Sequence, residues 1–192
     1  MAIPSVTWDI ATLSASPFDY ATKAVTVADI ASVATASSWP IGTVDADGAD
    51  KAITTFLVWN NKSGSSAASD MEDCTLTVVD ASKGNTGAGN CTELLGGGSD
   101  PTRWIHARCD SAATIAFSQV GSFAPATIES GAIAIKANSV GSNIIKGDAN
   151  DGNFATVASA DNFSINTLKV NVPVSASAGA VSGYVRVAYR YV

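Results

Sequence analysis

Ile53-Thr-Thr-Phe-Leu-Val-Trp59, followed by Asn60-Asn-Lys-Ser-Gly-Ser65, decides the fold class of this chain. The first stretch is rich in β-branched and aromatic residues and the second in turn-forming residues, which is typical of a strand that ends in a loop. The same pattern of strand-forming and turn-forming residues recurs along the chain with no intervening helical pattern. It indicates an all-β protein, either an antiparallel β-sandwich or a Greek-key or jelly-roll-like barrel. Further strands are predicted at residues 74–79, 103–109, 114–120, 132–136, 165–172 and 184–192.

The first 45 residues differ in amino-acid composition from the rest of the chain. Residues 20–36 are long enough for a helix, but β-branched residues such as Val25 and Ile30 disfavour one, so one or two strands are predicted there. The stretch Asp45-Ala-Asp-Gly-Ala-Asp50 separates this Ala-, Ser- and Thr-rich segment from the stronger strands. We therefore expect residues 1–45 to form an N-terminal arm or strand-forming extension, and residues 46–192 to form the β-sandwich domain.

The composition excludes several classes of partner. Charged residues make up 15% of the sequence and hydrophobic residues 46%, so the surface is unusually neutral. The net charge is −6 and the Lys and Arg residues are scattered, which leaves no electrostatic footprint for nucleic acid. Polar residues interrupt the apolar stretches too often for a membrane span. We expect a folded protein that binds neither nucleic acid nor membrane.

The start of the chain, Met1-Ala-Ile-Pro-Ser-Val-Thr-Trp-Asp-Ile10, does not resemble a secretory signal, because it lacks a basic region and a long apolar run. We therefore expect synthesis in the cytoplasm without secretion. Three cysteines, Cys74, Cys91 and Cys109, show no CxxC spacing. Buried free thiols are the expectation in a reducing compartment, and a single disulfide among the three is left open.

Groups suited to catalysis are scarce. His106 is the single histidine, so only this residue could supply the base of a hydrolase triad. Trp104 and Arg108 share its face of the predicted strand, which indicates a partly exposed sheet position, and Cys109 is expected on the opposite face. The few glutamates lie outside any recognisable glycosidase motif. We predict a protein without catalytic or cofactor-binding residues that is not an enzyme.

Two acidic loops contain oxygen ligands and a glycine, as calcium sites do: residues 45–50 and Asp148-Ala-Asn-Asp-Gly-Asn153. Neither completes an EF-hand loop, since the glycine of the second comes one position early and no Glu follows at the required offset. Turns closed by Asp and Asn side chains explain both loops more simply. We predict no metal ligands and keep Ca²⁺ only as the alternative.

Aromatic residues are the best candidates for a ligand-binding surface, because sugar rings stack their C–H faces on indoles and phenols. Trp39 precedes Pro40 in a loop-like context, and Trp104 and Tyr184 lie on predicted strands. These three are our candidate ligand-binding residues. Trp59 follows two large apolar residues and is predicted to pack in the core.

Four stretches together resemble the structural proteins of tailed-bacteriophage and prophage virions. They are Thr55-Phe-Leu-Val-Trp-Asn-Asn-Lys62, Ser69-Asp-Met-Glu-Asp-Cys-Thr-Leu-Thr77, Trp104-Ile-His-Ala-Arg-Cys-Asp110 and the ending from Val172-Pro-Val-Ser-Ala-Ser-Ala-Gly-Ala-Val181 to Val192. The resemblance covers roughly residues 50–192 and lies in the texture of strands and turns, so it transfers no catalytic residue. It implies a capsid decoration, fibre or tail-associated protein located in the virion.

The residues themselves favour an assembly of this kind. A low-charge surface suits protein contacts, and the C-terminal strand at residues 184–192 is an edge that a neighbouring subunit can extend. We expect a homo-oligomer, for which a trimer is natural, in contact with other virion proteins. The alternative is a carbohydrate- or host-receptor-binding module with a host-surface glycan as partner, indicated by Trp39, by the Asx-rich loops and by the glycine-rich residues 96–98.

Overall fold

The computed structural model describes residues 2–80, 103–121, 131–138, 140–176 and 183–191. Within these ranges the chain forms nine strands and three short 3-10 turns, and it forms no α-helix. The strands are β1 (Val6–Leu13), β2 (Ile30–Thr35), β3 (Asp50–Asn60), β4 (Met71–Asp80), β5 (Ile105–Cys109), β6 (Ser118–Val120), β7 (Ile133–Ala134), β8 (Phe163–Asn171) and β9 (Gly183–Tyr191).

The strands form two antiparallel sheets. One has six strands in the order β2-β1-β3-β8-β5-β6, and the other has three in the order β7-β4-β9. Side chains from both sheets share one apolar core cluster, so the sheets pack face to face as a β-sandwich. The all-β prediction is therefore confirmed, and the architecture is the sandwich rather than a closed barrel.

Strand β3 shows why residues 53–59 decide the fold. Its side chains alternate between the two faces of the six-stranded sheet. Phe56 and Val58 belong to the cluster between the sheets, whereas Leu57 and Trp59 belong to a second cluster on the opposite face. All four are buried. Because both faces are covered, the strand is a continuous apolar run and not an alternation of apolar and polar residues.

The second cluster covers the outer face of the six-stranded sheet. Val25 and Ile30, from the chain that follows β1, pack there with Phe163 of β8, and Phe18 and Tyr20 lie partly buried around them. Full burial of a side chain of this size contributes about 1.5–3 kcal/mol to stability. The segment between β1 and β2 is therefore a third layer of the fold.

The expected N-terminal arm is not confirmed. β1 lies inside the six-stranded sheet between β2 and β3, with Asp9 opposite Leu57. Within residues 20–36, where strands were expected, the strand is Ile30–Thr35, and a 3-10 turn at Val27–Asp29 precedes it. The domain boundary placed after residue 45 stays a prediction.

The predicted hairpin of residues 103–109 and 114–120 is confirmed as β5 and β6, which pair with Ile105 opposite Val120. β6 is shorter than expected, because residues 114–117 leave the ladder. There the Arg108 guanidinium lies 4.7 Å from the ring centroid of Phe117 and donates to the carbonyl oxygen of Ile115 at 3.2 Å. The arginine therefore satisfies the Ile115 carbonyl oxygen, which lies outside the ladder.

Arg108 and Asp110 form a buried ion pair that fastens the outer layer to the sheet. The Arg108 Nε donates to Asp110 Oδ1 at 2.9 Å, and neither side chain is exposed. The guanidinium also donates to the carbonyl oxygens of Tyr20 and Lys23, each at 2.6 Å. The Val25 N–H donates to Asp110 Oδ1 at 2.8 Å. Three residues of the segment between β1 and β2 are thus held by one ion pair of β5 and its following turn.

A second buried carboxylate, Asp9, fixes β1 against β3. Trp59 Nε1 donates to Asp9 Oδ2 at 2.8 Å, and Lys62 Nζ lies 2.7 and 2.8 Å from the two carboxylate oxygens. Asp9 is fully buried. Charge-assisted hydrogen bonds of this kind are stronger than neutral ones, so they offset the cost of burying the carboxylate.

Candidate functional site

A cleft of about 380 Å³ opens between the two sheets. It is lined from both sheets and from the chain after β2, and none of the described side chains that line it is charged. Phe56, Val78 and Ile105 are buried and form its base, whereas Trp8 and Trp39 are partly exposed. The remaining walls are Ala36, Ser37, Ser38, Ile41, Gly183, Tyr184 and Val185.

Three aromatic rings in the cleft are fixed in relation to one another. The rings of Trp8 and Trp39 stand nearly perpendicular to that of Phe56, at 84° and 87°, with centroid distances of 6.4 and 6.0 Å. These are edge-to-face arrangements, which aromatic pairs prefer to direct stacking. Trp39 Nε1 also donates to Thr54 Oγ1 at 3.1 Å. The Trp39 indole is therefore held in place before any ligand arrives.

Tyr184 and two serines form the rim of the cleft. Tyr184 is the second residue of β9 and is 48% exposed. Ser37 and Ser38 are exposed and belong to the turn between β2 and Trp39. The cleft thus has an aromatic interior and a rim that carries hydroxyl groups, which can both donate and accept hydrogen bonds.

Two of the three predicted ligand-binding residues, Trp39 and Tyr184, meet in this cleft. Trp104 does not line it. Its side chain is 7% exposed and packs in the core between the sheets, where its Nε1 has no hydrogen-bond partner among the described residues. Trp104 is therefore a core residue. Trp8 was not among the predicted ligand-binding residues, although its spacing with Val6 and Ile10 places all three on the core-facing side of β1.

His106 is half-buried in the middle of β5, opposite Gln119 of β6 and Lys169 of β8. Burial lowers the pKa of the imidazole, Lys169 lowers it further, and Asp50 acts in the opposite direction. Cys109 is buried in the core between the sheets and lies 3.6 Å from Ser164 Oγ. The thiol and the imidazole therefore lie on opposite faces of the strand and do not form a nucleophile–base pair.

The two acidic loops are closed by their own side chains. Asp47 Oδ1 accepts from the Ala49 N–H, and Asn150 Oδ1 accepts from the Gly152 N–H, both at 2.9 Å. Asp151 Oδ1 accepts from the Asn153 N–H, and these contacts are the Asx turns predicted from the sequence. Within the described ranges, no group of three or more His, Cys, Asp or Glu side chains is placed to hold a metal ion.

Two of the cysteines, Cys74 and Cys109, are free and buried. Cys91 and the glycine-rich residues 96–98 lie outside the described residues.

Cys74 is expected to resist alkylation in the native protein, because burial raises the pKa of its thiol to about 12 and only the thiolate is nucleophilic. Treatment with iodoacetamide at mildly alkaline pH, with and without urea, followed by peptide mass spectrometry, measures this directly. After the same reaction time, Cys74 should be fully modified in urea and largely unmodified in the native chain. Equal rates in both conditions would contradict the buried placement of this thiol.

Within the described ranges, no helix has the length and apolar character that crossing a membrane requires.

Comparisons of the chain with protein-family models, with curated proteins and with solved structures find no match.

Proposed function

We propose that this chain is a non-enzymatic structural subunit of a bacteriophage virion, as a capsid decoration, fibre or tail-associated protein, and that it self-associates and contacts other virion proteins. The observation that carries the proposal is the open edge of the three-stranded sheet. The resemblance of residues 50–192 to virion structural proteins supplies the biological setting.

Strand β9 forms that edge. It runs for nine residues and pairs with β4 along its length, from Met71 opposite Tyr191 to Asp80 opposite Gly183. Among the strands of the described ranges, none lies on its other side. An edge of this length presents backbone N–H and C=O groups that a strand from another chain can pair with.

The devices that usually protect an edge strand are weak in β9. It contains no proline, and the register shift in this strand pair falls between Glu72 and Thr75 of β4. The Arg190 guanidinium, the charge nearest the end of the strand, pairs with Glu72 and Asp73. Tyr191 is 54% exposed beside it. Aromatic residues and arginine are enriched in protein interfaces, and β9 carries three tyrosines and two arginines, so this edge has the character of an assembly surface.

A charge placed on the edge is expected to weaken self-association. We expect the wild-type chain to form one oligomer that persists on dilution, and Tyr191→Lys to raise its dissociation constant by about tenfold or more, since the ammonium group would have to lose water when the edge pairs. Light scattering across a dilution series measures both. Val157→Lys is the matched control: it adds the same charge at a residue that is 93% exposed and outside the strands.

A wild-type chain that is monomeric throughout the dilution series and shows no affinity for virion proteins would rule out the proposal. Membership in the virion is tested separately by immunogold electron microscopy, with antibodies to this chain, on virions whose genome encodes it. Labelled particles are the expected result.

A further inference from the structure

We propose that the cleft between the sheets binds one uncharged pyranose unit of a glycan. The ring would lie against Trp39 and Tyr184, and its hydroxyl groups would reach Ser37 and Ser38. This binding activity goes beyond the proposed structural role and does not depend on it.

The size of the cleft limits the ligand. Its volume of about 380 Å³ lies at the lower end of the range of about 300–1,000 Å³ that small-molecule pockets occupy. A single sugar ring and its substituents suit that space, whereas a folded partner does not.

The described walls of the cleft disfavour a charged ligand. No described side chain that lines the cleft carries a charge, and burying an unpaired charge is costly. A nucleotide, a phosphosugar or a sialic acid would therefore find no counterion among the described side chains of the cleft. The ligand is expected to be neutral.

The division of the cleft into an aromatic interior and a hydroxyl rim favours a sugar over a hydrocarbon. A pyranose has faces made of C–H groups, which pack on the indole of Trp39 and the ring of Tyr184, and an equator of hydroxyl groups. The exposed Ser37 and Ser38 at the rim can donate to and accept from such hydroxyl groups. A purely apolar ligand would cover these serines without replacing their hydrogen bonds to water.

The cleft is also prepared for binding. Trp39 is held by its hydrogen bond to Thr54 and by its edge-on contact with Phe56. A side chain that is already fixed loses little conformational entropy when a ligand packs on it, so more of the contact energy appears as affinity.

The test uses the full chain and a panel of neutral methyl pyranosides in the gluco, manno, galacto and N-acetylglucosamine configurations. Saturation-transfer NMR and the quenching of tryptophan fluorescence are the readouts. We expect saturable binding of at least one member, competed by an excess of the same free sugar. Tyr184→Ala is expected to weaken that binding by about two- to tenfold, the range that corresponds to the loss of one aromatic contact.

Two variants control for the tyrosine. Tyr184→Phe keeps the ring and should bind within about twofold of wild type, because the proposed contact is made by the ring face. Ile115→Ala removes an apolar side chain of similar exposure that lies outside both the cleft and β9, and it should leave binding unchanged. Far-UV circular dichroism of each variant verifies that the fold is retained.

The proposal is overturned if no pyranoside binds saturably, if an apolar probe such as a short alcohol binds the cleft where the sugars do not, or if Ile115→Ala weakens binding as much as Tyr184→Ala. Light scattering keeps the two proposals apart. A stable oligomer that binds no sugar would contradict only the proposed glycan site. A monomer that binds sugar through Tyr184 would contradict only the proposed self-association.

Discussion

Arg108→Ala is expected to lower the free energy of unfolding by about 3–5 kcal/mol, the usual cost of removing one partner from a buried ion pair. The variant leaves the Asp110 carboxylate buried without its guanidinium, and it removes the donor from the carbonyl oxygens of Tyr20 and Lys23. Urea denaturation followed by circular dichroism measures the loss. Because these carbonyls belong to the segment between β1 and β2, that segment should also become more sensitive to proteases.

The matched control is Arg190→Ala. Arg190 pairs with Glu72 and Asp73, but its side chain is 65% exposed, so its removal should cost less than about 1 kcal/mol. Similar losses of unfolding free energy in the two variants would show that burial of the Arg108–Asp110 pair makes no difference to stability.

The deficit of Arg108→Ala should also depend on pH. Burial raises the pKa of the Asp110 carboxyl, while hydrogen bonds from Thr167 and Val25 and the charge of Arg108 lower it. Without Arg108 the folded-state pKa rises further above the unfolded value. The folded variant then binds its proton more tightly than the unfolded chain does, so stability is lost as pH rises through that interval. The difference from wild type should therefore be smaller near pH 4 than near neutrality.

Trp59→Ala should cost about 3–5 kcal/mol of unfolding free energy, because it opens a cavity in the second apolar cluster. Trp59 is fully buried, and its ring centroid lies 4.6 Å from that of Phe163. The same substitution removes the Nε1–H group that donates a hydrogen bond to Asp9, and so it weakens the attachment of β1 to β3. Thermal and urea unfolding of the variant test the prediction.

Trp59→Phe separates the two contributions. It keeps most of the ring volume and loses the donor to Asp9, so a smaller loss of about 1–3 kcal/mol is expected. A Trp59→Ala variant as stable as Trp59→Phe would mean that the ring contributes no packing energy, against the burial described here.

The strands could be predicted because period-2 patterns and turn residues are local signals. Residues 53–59, 165–171 and 184–191 each lie in a strand for this reason. The place of the first 45 residues could not be predicted, because it depends on contacts between distant positions. Asp9 accepts from Trp59 across 50 positions, and Val25 donates to Asp110 across 85. No local pattern encodes such pairs.

The cleft was predictable only in part. Trp39 and Tyr184 were predicted to be aromatic residues that could face a ligand. They line the same opening because of the order of the strands in the two sheets, which the local sequence does not show. Trp104 has similar chemistry and an equally ambiguous local sequence, yet it is buried in the core. Whether an indole on a strand faces a cleft or a core is decided by the sheet packed against it.

The central position of β8 sets the order in which this chain can fold during synthesis. β1, β2 and β3 are close in sequence and can pair early, and so can β5 and β6. β8 lies between β3 and β5 and joins the two groups, but its Thr167 meets Thr55 across 112 positions of chain. Until the ribosome has released β8, β3 presents one unpaired edge. The growing chain is therefore exposed to aggregation for most of its synthesis, and its slowest folding step is expected to be the insertion of this late strand.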